Sequence, residues 1–321
     1  MSEPLNLERT VTAEFSHQRV DHIAVQLFPE YSRSKLQNWI VSGELTIDGE
    51  MRKSKEKLPG GEVMRIKASL EVLQDHQPQD MPIEVVYKDD TIIVINKPTG
   101  LVVHPGAGKK DGTLLNALLF HFPELSQVPR AGIVHRLDKD TTGLMVVART
   151  LMAHGHLIEQ LQTREMGREY EAVVTGQLTG GGMVNEPIAR HSTQRIKMAV
   201  QPMGKEAITH YRLLKKYDHH SHIRLKLETG RTHQIRVHMA YLHYPLVGDS
   251  TYAGRLRLPK GISDELQYEL KNFPRQALHA QQLELIHPKT GEQMCFESDL
   301  PEDFLDLLAA LEYEYNSHER F

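Results

Sequence analysis

Strand-like segments follow one another in pairs along most of this sequence. Residues 83–98, IEVVYKDDTIIVINKP, predict two strands joined at Lys88-Asp89-Asp90, because β-branched residues flank that polar turn. Further strand-like runs lie at 170–178, 208–216, 222–228 and 278–288, and helical spacing occurs at 112–122, near 152–162 and at 232–242. Since strands pair more often than they alternate with helices, we predict an α+β fold: a mixed, largely antiparallel sheet flanked by helices and loops.

The N-terminal part predicts a small separate unit. Residues 20–27 have helical spacing up to Pro29, and a second helix carries Leu36, Trp39 and Ile40, with Ser32 or Ser34 as its cap and Gly43 at its end. A short strand then enters the Asp48-Gly49 turn, and residues 60–67 form the closing strand. We therefore predict a small domain at 16–75, a linker at 76–82, a large domain at 83–300 and an acidic helix or tail at 301–321.

Composition limits the class of protein. A single cysteine, Cys295, excludes an internal disulfide framework and a Cys-rich zinc site. No run of about 18 apolar residues is present and the first residues do not resemble a secretory signal, so we expect a cytoplasmic protein with no membrane partner. The net charge is −4, but residues 299–321 carry −6, which leaves +2 for residues 1–298. This charge is compatible with RNA binding without demanding it.

One dense charge cluster stands out, in GIVHRLDKDTTGLMVVART (132–150). The apolar runs 132–134 and 143–148 on either side predict rigid strands that hold a reactive loop between them. A partly buried Asp138 would need a cation to stay ionised, and we expect Arg231, which follows the half-basic strand 222–228, to supply it. A carboxylate held in this way can act as a nucleophile or a base at a sugar carbon or a pyrimidine ring.

Other chemistries fit the residues less well. The loop HPGAGKKDGT (104–113) departs from the phosphate-binding pattern, and nineteen histidines lack the Cys or H-E-x-x-H context of a zinc site, so we expect no metal and no cofactor. A calcium loop opening at Asp138 would need a glutamate where Arg149 stands. Asp138 and Asp140 as a glycosidase pair, or a plain charged turn, stay open as alternatives.

Four segments together resemble one family. GIVHRLDKDTTGLMVVART, GREYEAVV (167–174), ETGRTHQIRVHM (228–239) and INKPTGLVVHP (95–105) are similar to the motifs of the pseudouridine synthases that modify ribosomal and transfer RNA. The N-terminal unit resembles the small RNA-binding domain first described in the fourth small-subunit ribosomal protein. The resemblance covers roughly residues 16–300 and implies the pseudouridine synthase fold, with an isomerase that needs no cofactor.

The resemblance also assigns roles to residues. It implies that Asp138 is the catalytic aspartate, Arg136 fills the space of a flipped uridine, Tyr170 stacks on the uracil or accepts the C5 proton, and Arg231 pairs with the aspartate. In the N-terminal unit the implied RNA-binding residues are Arg19, Arg33, Ser34 and Lys35. The expected partner is 23S ribosomal RNA or a precursor of the large subunit, bound by a monomer.

Three alternatives stay open at this stage. One is the same chemistry on transfer RNA or at other ribosomal RNA sites. A second is a non-catalytic RNA-binding module in which Asp138 is only salt-bridged. The third is a carbohydrate-active hydrolase with an essential Asp140, against which a single tryptophan and eight phenylalanines argue.

Overall fold

The computed structural model describes residues 3–29, 31, 33–70, 76–106, 109–194 and 196–318. The chain divides into two compact units, residues 1–75 and 76–321. Within the described ranges, no helix combines the length and the apolar character needed to cross a membrane.

The N-terminal unit is a three-stranded sheet with two helices, and its strand order is β1-β3-β2. Its elements are β1 (Glu3–Thr10), α1 (Val20–Leu27), α2 (Arg33–Ser42), β2 (Leu45–Ile47) and β3 (Val63–Leu70). The predicted helices and hairpin are confirmed. Gly43 ends α2 at φ 83°, and Asp48 and Gly49 both have positive φ, which matches a two-residue turn whose backbone favours such residues.

One prediction for this unit is wrong, and another falls on residues outside the described ranges. All eight residues of β1 pair antiparallel with β3, so the unit includes residues before 16, and the predicted start at 16 is wrong. A strand rich in alternating polar residues, EPLNLERT, gave little hydrophobic signal, and only its pairing identifies it. Ser32 and the side chain of Ser34 lie outside the described residues, so the predicted cap is not addressed.

The second unit is built on one large sheet. Its strands are β4 (Glu84–Lys88), β5 (Ile92–Lys97), β6 (Thr142–Ala148), β7 (Gly167–Thr175), β8 (Gly182–Asn185), β9 (Ile188–Arg190), β10 (Met198–Val200), β11 (Ile208–Lys216), β12 (His220–Leu227), β13 (Leu278–Ile286) and β14 (Gln293–Glu297). Its helices are α3 (Leu114–His121), α4 (Leu151–Thr163), α5 (Gln234–Tyr241), α6 (Asp264–Asn272) and α7 (Glu302–His318).

The sheet order is β4-β5-β6-β13-β7-β12-β11-β8, with β14 beside β13, and β9 and β10 form a separate ribbon. Only β6 and β13 run parallel; every other neighbouring pair is antiparallel. The predicted mixed, largely antiparallel sheet is therefore confirmed. Its central strands bury apolar side chains on both faces, as in β6, where all seven residues are buried.

The segment predicted as a linker, 76–82, is instead bonded to the larger unit. The side-chain amide of Asn116 on α3 donates to the carbonyl of Gln77 (2.8 Å), and His121 Nε2 donates to the carbonyl of Met81 (2.8 Å). The amide of Gly112 donates to Gln79 Oε1 (2.6 Å). Its proline and polar composition indicated a linker, but these bonds make the segment the first part of the larger unit.

The acidic C-terminal segment forms the long helix α7. Phe304, Leu307 and Leu311, spaced three and four residues apart, are buried in a cluster that includes Leu266 and Leu270 of α6. Of its carboxylates, Asp303 bonds Arg275, Glu312 bonds Lys215 and Glu314 is buried, so much of the charge of this segment belongs to a packed helix.

Only one of the two apolar runs around the charge cluster is a strand. The run 143–148 lies within β6, but 129–132 form a 3-10 turn and Ile133 makes a single bridge to Val147, so the expected strand at 132–134 is wrong. Gly132 has φ 77°, and a Cβ there would lie 1.9 Å from the carbonyl oxygen of Ala148. The chain therefore turns tightly against β6 before the cluster begins.

Candidate active site

Asp138 lies in the loop that leads into β6, beside a cavity of about 620 Å³. Its side chain is 16% exposed, so the carboxylate is largely shielded but accessible from the cavity. Arg136 and Tyr170 line the same cavity, as do Arg168 of β7 and Arg231. The structure thus brings together the four residues that the sequence reading placed in the site.

The loop that carries Asp138 is fixed from two sides. The buried Lys97, at the end of β5, donates from Nζ to the carbonyls of Lys139 (2.9 Å), Leu101 (3.1 Å) and Pro98 (2.7 Å). On the other side, the side-chain amide of Gln276 donates to Thr141 Oγ1 (2.9 Å). Burial lowers the pKa of Lys97 to about 7, against the opposing effect of Asp140 and Asp138. This loop geometry is therefore set by contacts with residues that are distant in the sequence.

The cation that pairs with Asp138 is Arg236, on α5. Its Nη1 donates to Asp138 Oδ2 (2.9 Å), while Nε and Nη2 donate to the two carboxylate oxygens of Asp249 (2.7 and 2.9 Å). Asp249 has a fully buried side chain and also accepts the backbone amides of Thr251 and Tyr252. Although burial opposes its charge, the bonds to Asp249 and the field of both carboxylates raise the pKa of Arg236. The guanidinium is therefore held as a permanent cation with one edge toward Asp138.

His233 stands next to this pair. Its Nδ1 is 2.7 Å from the hydroxyl of Tyr252, which accepts the amide of Met198 (2.9 Å), and its Nε2 is 3.8 Å from Asp138 Oδ1. We assign the Tyr252 hydroxyl as the donor to His233 Nδ1. The proton of the imidazole ring is then on Nε2, which faces the Asp138 carboxylate. Burial lowers the pKa of His233, partly offset by Asp138, so the ring is neutral at physiological pH.

Tyr170, on β7, is part of the cavity lining. It is buried, and burial raises the pKa of its phenol, with Arg168 acting in the lowering direction and Asp138 in the raising direction. Arg168 lies two residues earlier in the same strand, so both side chains project from the same face.

Two expectations about arginines have different outcomes. Arg231 lines the cavity, but its Nε donates to the carbonyl of Glu206 (2.9 Å), and the predicted pairing with Asp138 is wrong because Arg236 occupies that position. Arg231 precedes α5 whereas Arg236 is inside it, on a buried helix face. Arg136 is exposed at the cavity, in a position to reach a ligand there.

The RNA-binding residues expected in the N-terminal unit are near the start of its two helices. Arg19 donates to both carboxylate oxygens of the buried Asp21 (3.0 and 2.9 Å), and Arg33, more than half exposed, is 3.5 Å from Asp21. The ammonium of Lys35 lies 5.1 Å from the centre of the Trp39 ring.

Sequence reasoning missed Arg236, His233, Asp249, Arg168 and Lys97. A signal existed for Arg236: the predicted helix 232–242 alternates apolar residues with Gln, Arg and His, and three polar residues of α5 are buried. A helix that buries polar residues on such a scale indicates a polar network. Asp249 lies in a loop with no pattern around it, so no comparable signal marks it.

Comparison with known proteins identifies the family. Residues 91–241 match the family model described as RNA pseudouridylate synthase. Similar proteins include one named ribosomal large subunit pseudouridine synthase D from Yersinia pestis, 55% identical over 97% of this chain and 96% of that protein. A protein of the same name from Pseudomonas aeruginosa is 55% identical over 97% of both chains.

Solved structures agree with these sequence matches. The human RNA pseudouridylate synthase domain containing 4 protein covers 71% of this chain and 93% of its own, with 26% identity and a TM-score of 0.56. The human domain containing 1 protein covers 73% of this chain and 90% of its own, with 27% identity and a TM-score of 0.53. The chain therefore belongs to the RNA pseudouridylate synthase family and is a pseudouridine synthase, an isomerase.

Proposed function

We propose that this enzyme converts specific uridines of 23S ribosomal RNA to pseudouridine during maturation of the large ribosomal subunit, within the stem-loop called helix sixty-nine. The names of the full-length relatives from Y. pestis and P. aeruginosa support the large-subunit substrate. The stem-loop called helix sixty-nine is the target that the resemblance to synthases of this name implies. The structural observation that carries the chemistry is the partly exposed Asp138 carboxylate, held by Arg236 at a cavity.

In this proposal the target uridine leaves the RNA stack and enters the cavity. Flipping a base costs a few kcal/mol, and the exposed guanidinium of Arg136 offsets part of this cost by filling the space left in the RNA. The ribose then lies near Asp138, whose carboxylate acts as the nucleophile or base. Arg236 fixes the orientation of that carboxylate through its bond to Oδ2.

The reaction breaks the uridine N1–C1′ bond and forms a C5–C1′ bond, with a proton lost from C5 and one gained at N1. We assign the C5 proton to Tyr170. Because burial raises its pKa, the phenol is neutral in the free enzyme and must release its own proton before it accepts another. Once C5 has bonded to C1′, N1 of the base accepts the phenolic proton, and the resulting phenolate then takes the C5 proton.

Replacing Tyr170 with phenylalanine tests this assignment. The ring and its packing are kept while the hydroxyl is lost, so turnover is expected to fall by about 100-fold or more, the usual size of a general acid–base contribution. Affinity for RNA and the melting temperature are expected to stay unchanged. Since the pKa of the phenol is raised, the pH–rate profile of the wild type is expected to show no change in the neutral range that comes from ionisation of Tyr170. Full turnover by Tyr170→Phe would leave stacking as the role of this residue.

The proposal gives the N-terminal unit a role in binding RNA through Arg19, Arg33, Ser34 and Lys35. Arg33 and Lys35 begin α2, where free backbone amides also favour phosphate. The double variant Arg33→Ala, Lys35→Ala is expected to weaken RNA binding and to reduce the salt dependence by about one to two counterions. The modified positions are expected to be the same as with the wild type; altered positions would assign target selection to this unit.

The substrate is tested by carbodiimide mapping of pseudouridine. Unmodified 23S RNA, precursors of the large subunit and transfer RNA are each incubated with the enzyme. Product at discrete uridines of helix sixty-nine supports the proposal. Product elsewhere in 23S RNA overturns the assigned stem-loop, and product in transfer RNA alone overturns the ribosomal substrate.

A further inference from the structure

The Arg168 guanidinium is buried at the cavity with little to balance its charge. The residue is 6% exposed, and its recorded hydrogen bond is a long one, from Nη2 to the backbone carbonyl of Glu228 (3.3 Å). Its Nε has no partner among the described residues. The Glu228 carboxylate is engaged elsewhere, by Arg164 (2.7 Å) and His210 (2.6 Å).

Other buried arginines of this chain are treated differently. Arg236 bonds two aspartates, and Arg275, whose side chain is 1% exposed, bonds both carboxylate oxygens of Asp303 (2.6 and 2.8 Å). No carboxylate forms an ion pair with Arg168 in the part of the chain that the structure describes. Burying a charge without a partner is unfavourable, and burial correspondingly lowers the pKa of Arg168. A buried guanidinium without a carboxylate partner at a cavity is typical of a group that binds a negatively charged ligand.

A glycine makes room for the Arg168 guanidinium at the cavity. A Cβ added at Gly230 would lie 2.8 Å from Nη1 of Arg168, closer than side-chain atoms normally approach. Gly230 lines the same cavity as Arg168, so the absence of a side chain there lets the guanidinium reach the cavity wall.

The chemistry of the reaction supplies a matching ligand. When the N1–C1′ bond breaks, its electron pair stays on the base, which becomes a uracil anion with its charge shared among N1, O2 and O4. We propose that Arg168 binds this uracil anion and stabilises it until C5 bonds to C1′. The C5–C1′ bond uses an electron pair of the base, the C5 proton leaves and N1 is protonated, so the overall change is an isomerisation.

The position of Arg168 favours the base over an RNA phosphate. Arg168 and Tyr170 project from the same face of β7 and interact electrostatically, so a base that contacts the Tyr170 ring lies within reach of the guanidinium. An RNA phosphate is strongly hydrated and fits better beside the exposed Arg136 than beside Arg168, which is 6% exposed. The inference deepens the isomerase activity and is independent of which RNA is the substrate.

The test compares uridine with 5-fluorouridine at the target position. Fluorine stabilises the departing base anion, so this substrate depends less on a stabilising cation. We expect Arg168→Gln to slow N1–C1′ cleavage of uridine RNA about 100- to 1,000-fold in single turnovers, as when one preorganised donor to a developing anion is removed. On 5-fluorouridine RNA, the same variant is expected to lose less than about 10-fold. Cleavage is followed by loss of the original nucleoside from nuclease digests, at mildly acid pH where both bases carry the N3 proton.

Controls separate this role from structural damage. Arg168→Lys is expected to recover part of the uridine rate, and Arg164→Gln, at a neighbouring arginine paired with Glu206 and Glu228, is expected to show no difference between the two substrates. RNA affinity and melting temperature of Arg168→Gln are measured in parallel. Equal losses on both substrates, or a weakened RNA affinity that accounts for the lower rate, overturn the proposal in favour of packing or phosphate binding. Carbodiimide mapping tests which uridines are modified, and it does not depend on the role of Arg168. Failure of the proposed substrate and failure of the proposed role of Arg168 can therefore be distinguished.

Discussion

Asp138→Asn is expected to eliminate pseudouridine formation, with a loss of about 10,000-fold or more, as seen when an enzyme loses its central nucleophile or base. The amide keeps the shape of the side chain and one oxygen to accept the bond from Arg236 Nη1. It carries no charge, so it can neither attack carbon nor take up a proton. The measurement is single-turnover conversion of unmodified RNA at saturating enzyme.

Asp140→Asn is the matched control, because it changes the same loop at two residues' distance. Asp140 contributes its backbone carbonyl, 3.4 Å from Arg275 Nη1, and its charge beside Lys97, whereas Asp138 is held by Arg236, so this variant is expected to keep turnover. Asp138→Asn is expected to bind RNA as the wild type does. Activity in Asp138→Asn together with inactivity in Asp140→Asn would transfer the catalytic role to Asp140.

Arg236→Met is expected to destabilise the larger unit by about 3–5 kcal/mol, the usual result of removing one partner from a buried ionic network. Methionine keeps much of the volume but leaves the fully buried Asp249 and the 16% exposed Asp138 without their shared cation. Turnover is expected to be lost as well, since the Asp138 carboxylate loses its orientation. Urea unfolding at constant pH measures the first effect, and single turnovers measure the second.

Two further variants make this result specific. Arg231→Met removes the arginine that sequence reasoning paired with Asp138, and it is expected to leave the free energy of unfolding within about 1 kcal/mol of the wild type. The double variant Arg236→Met, Asp249→Asn is expected to regain stability without activity, because one unpaired carboxylate is removed while Asp138 stays unsupported. Equal destabilisation by Arg231→Met and Arg236→Met would contradict the network described above.

The sequence predicts the sheet well because hydrophobic periodicity is a local signal. The strand 208–216 coincides with β11, and the predicted helix 20–27 coincides with α1. Errors occur where pairing decides the structure. The strand β1 has a weak pattern and exists through its bonds to β3, and the apolar residues 132–134 turn away because Gly132 packs against β6.

The active site is predicted less completely than the sheet. Its reactive loop and Tyr170 are found from motifs, since they are short segments with unusual composition. The partner of Asp138 was assigned to the wrong arginine, because which of two guanidinium groups five residues apart reaches a carboxylate depends on how α5 is rotated. That rotation is set by burial of polar residues such as Gln234 and His238, which a sequence pattern records only as exceptions.

The anchors of the catalytic loop have a consequence for folding. Asp138 is bonded to a residue 98 positions later, and Thr141 to Gln276, 135 positions later. Contacts of such large sequence separation form late and slowly, since long loops must close before they contribute. A ribosome adds about 5–20 residues per second, so a growing chain has its reactive aspartate many seconds before the residues that hold it. The nascent protein therefore emerges beside ribosomal RNA as an inactive chain and becomes an enzyme only when α5 and the segment before β13 are in place.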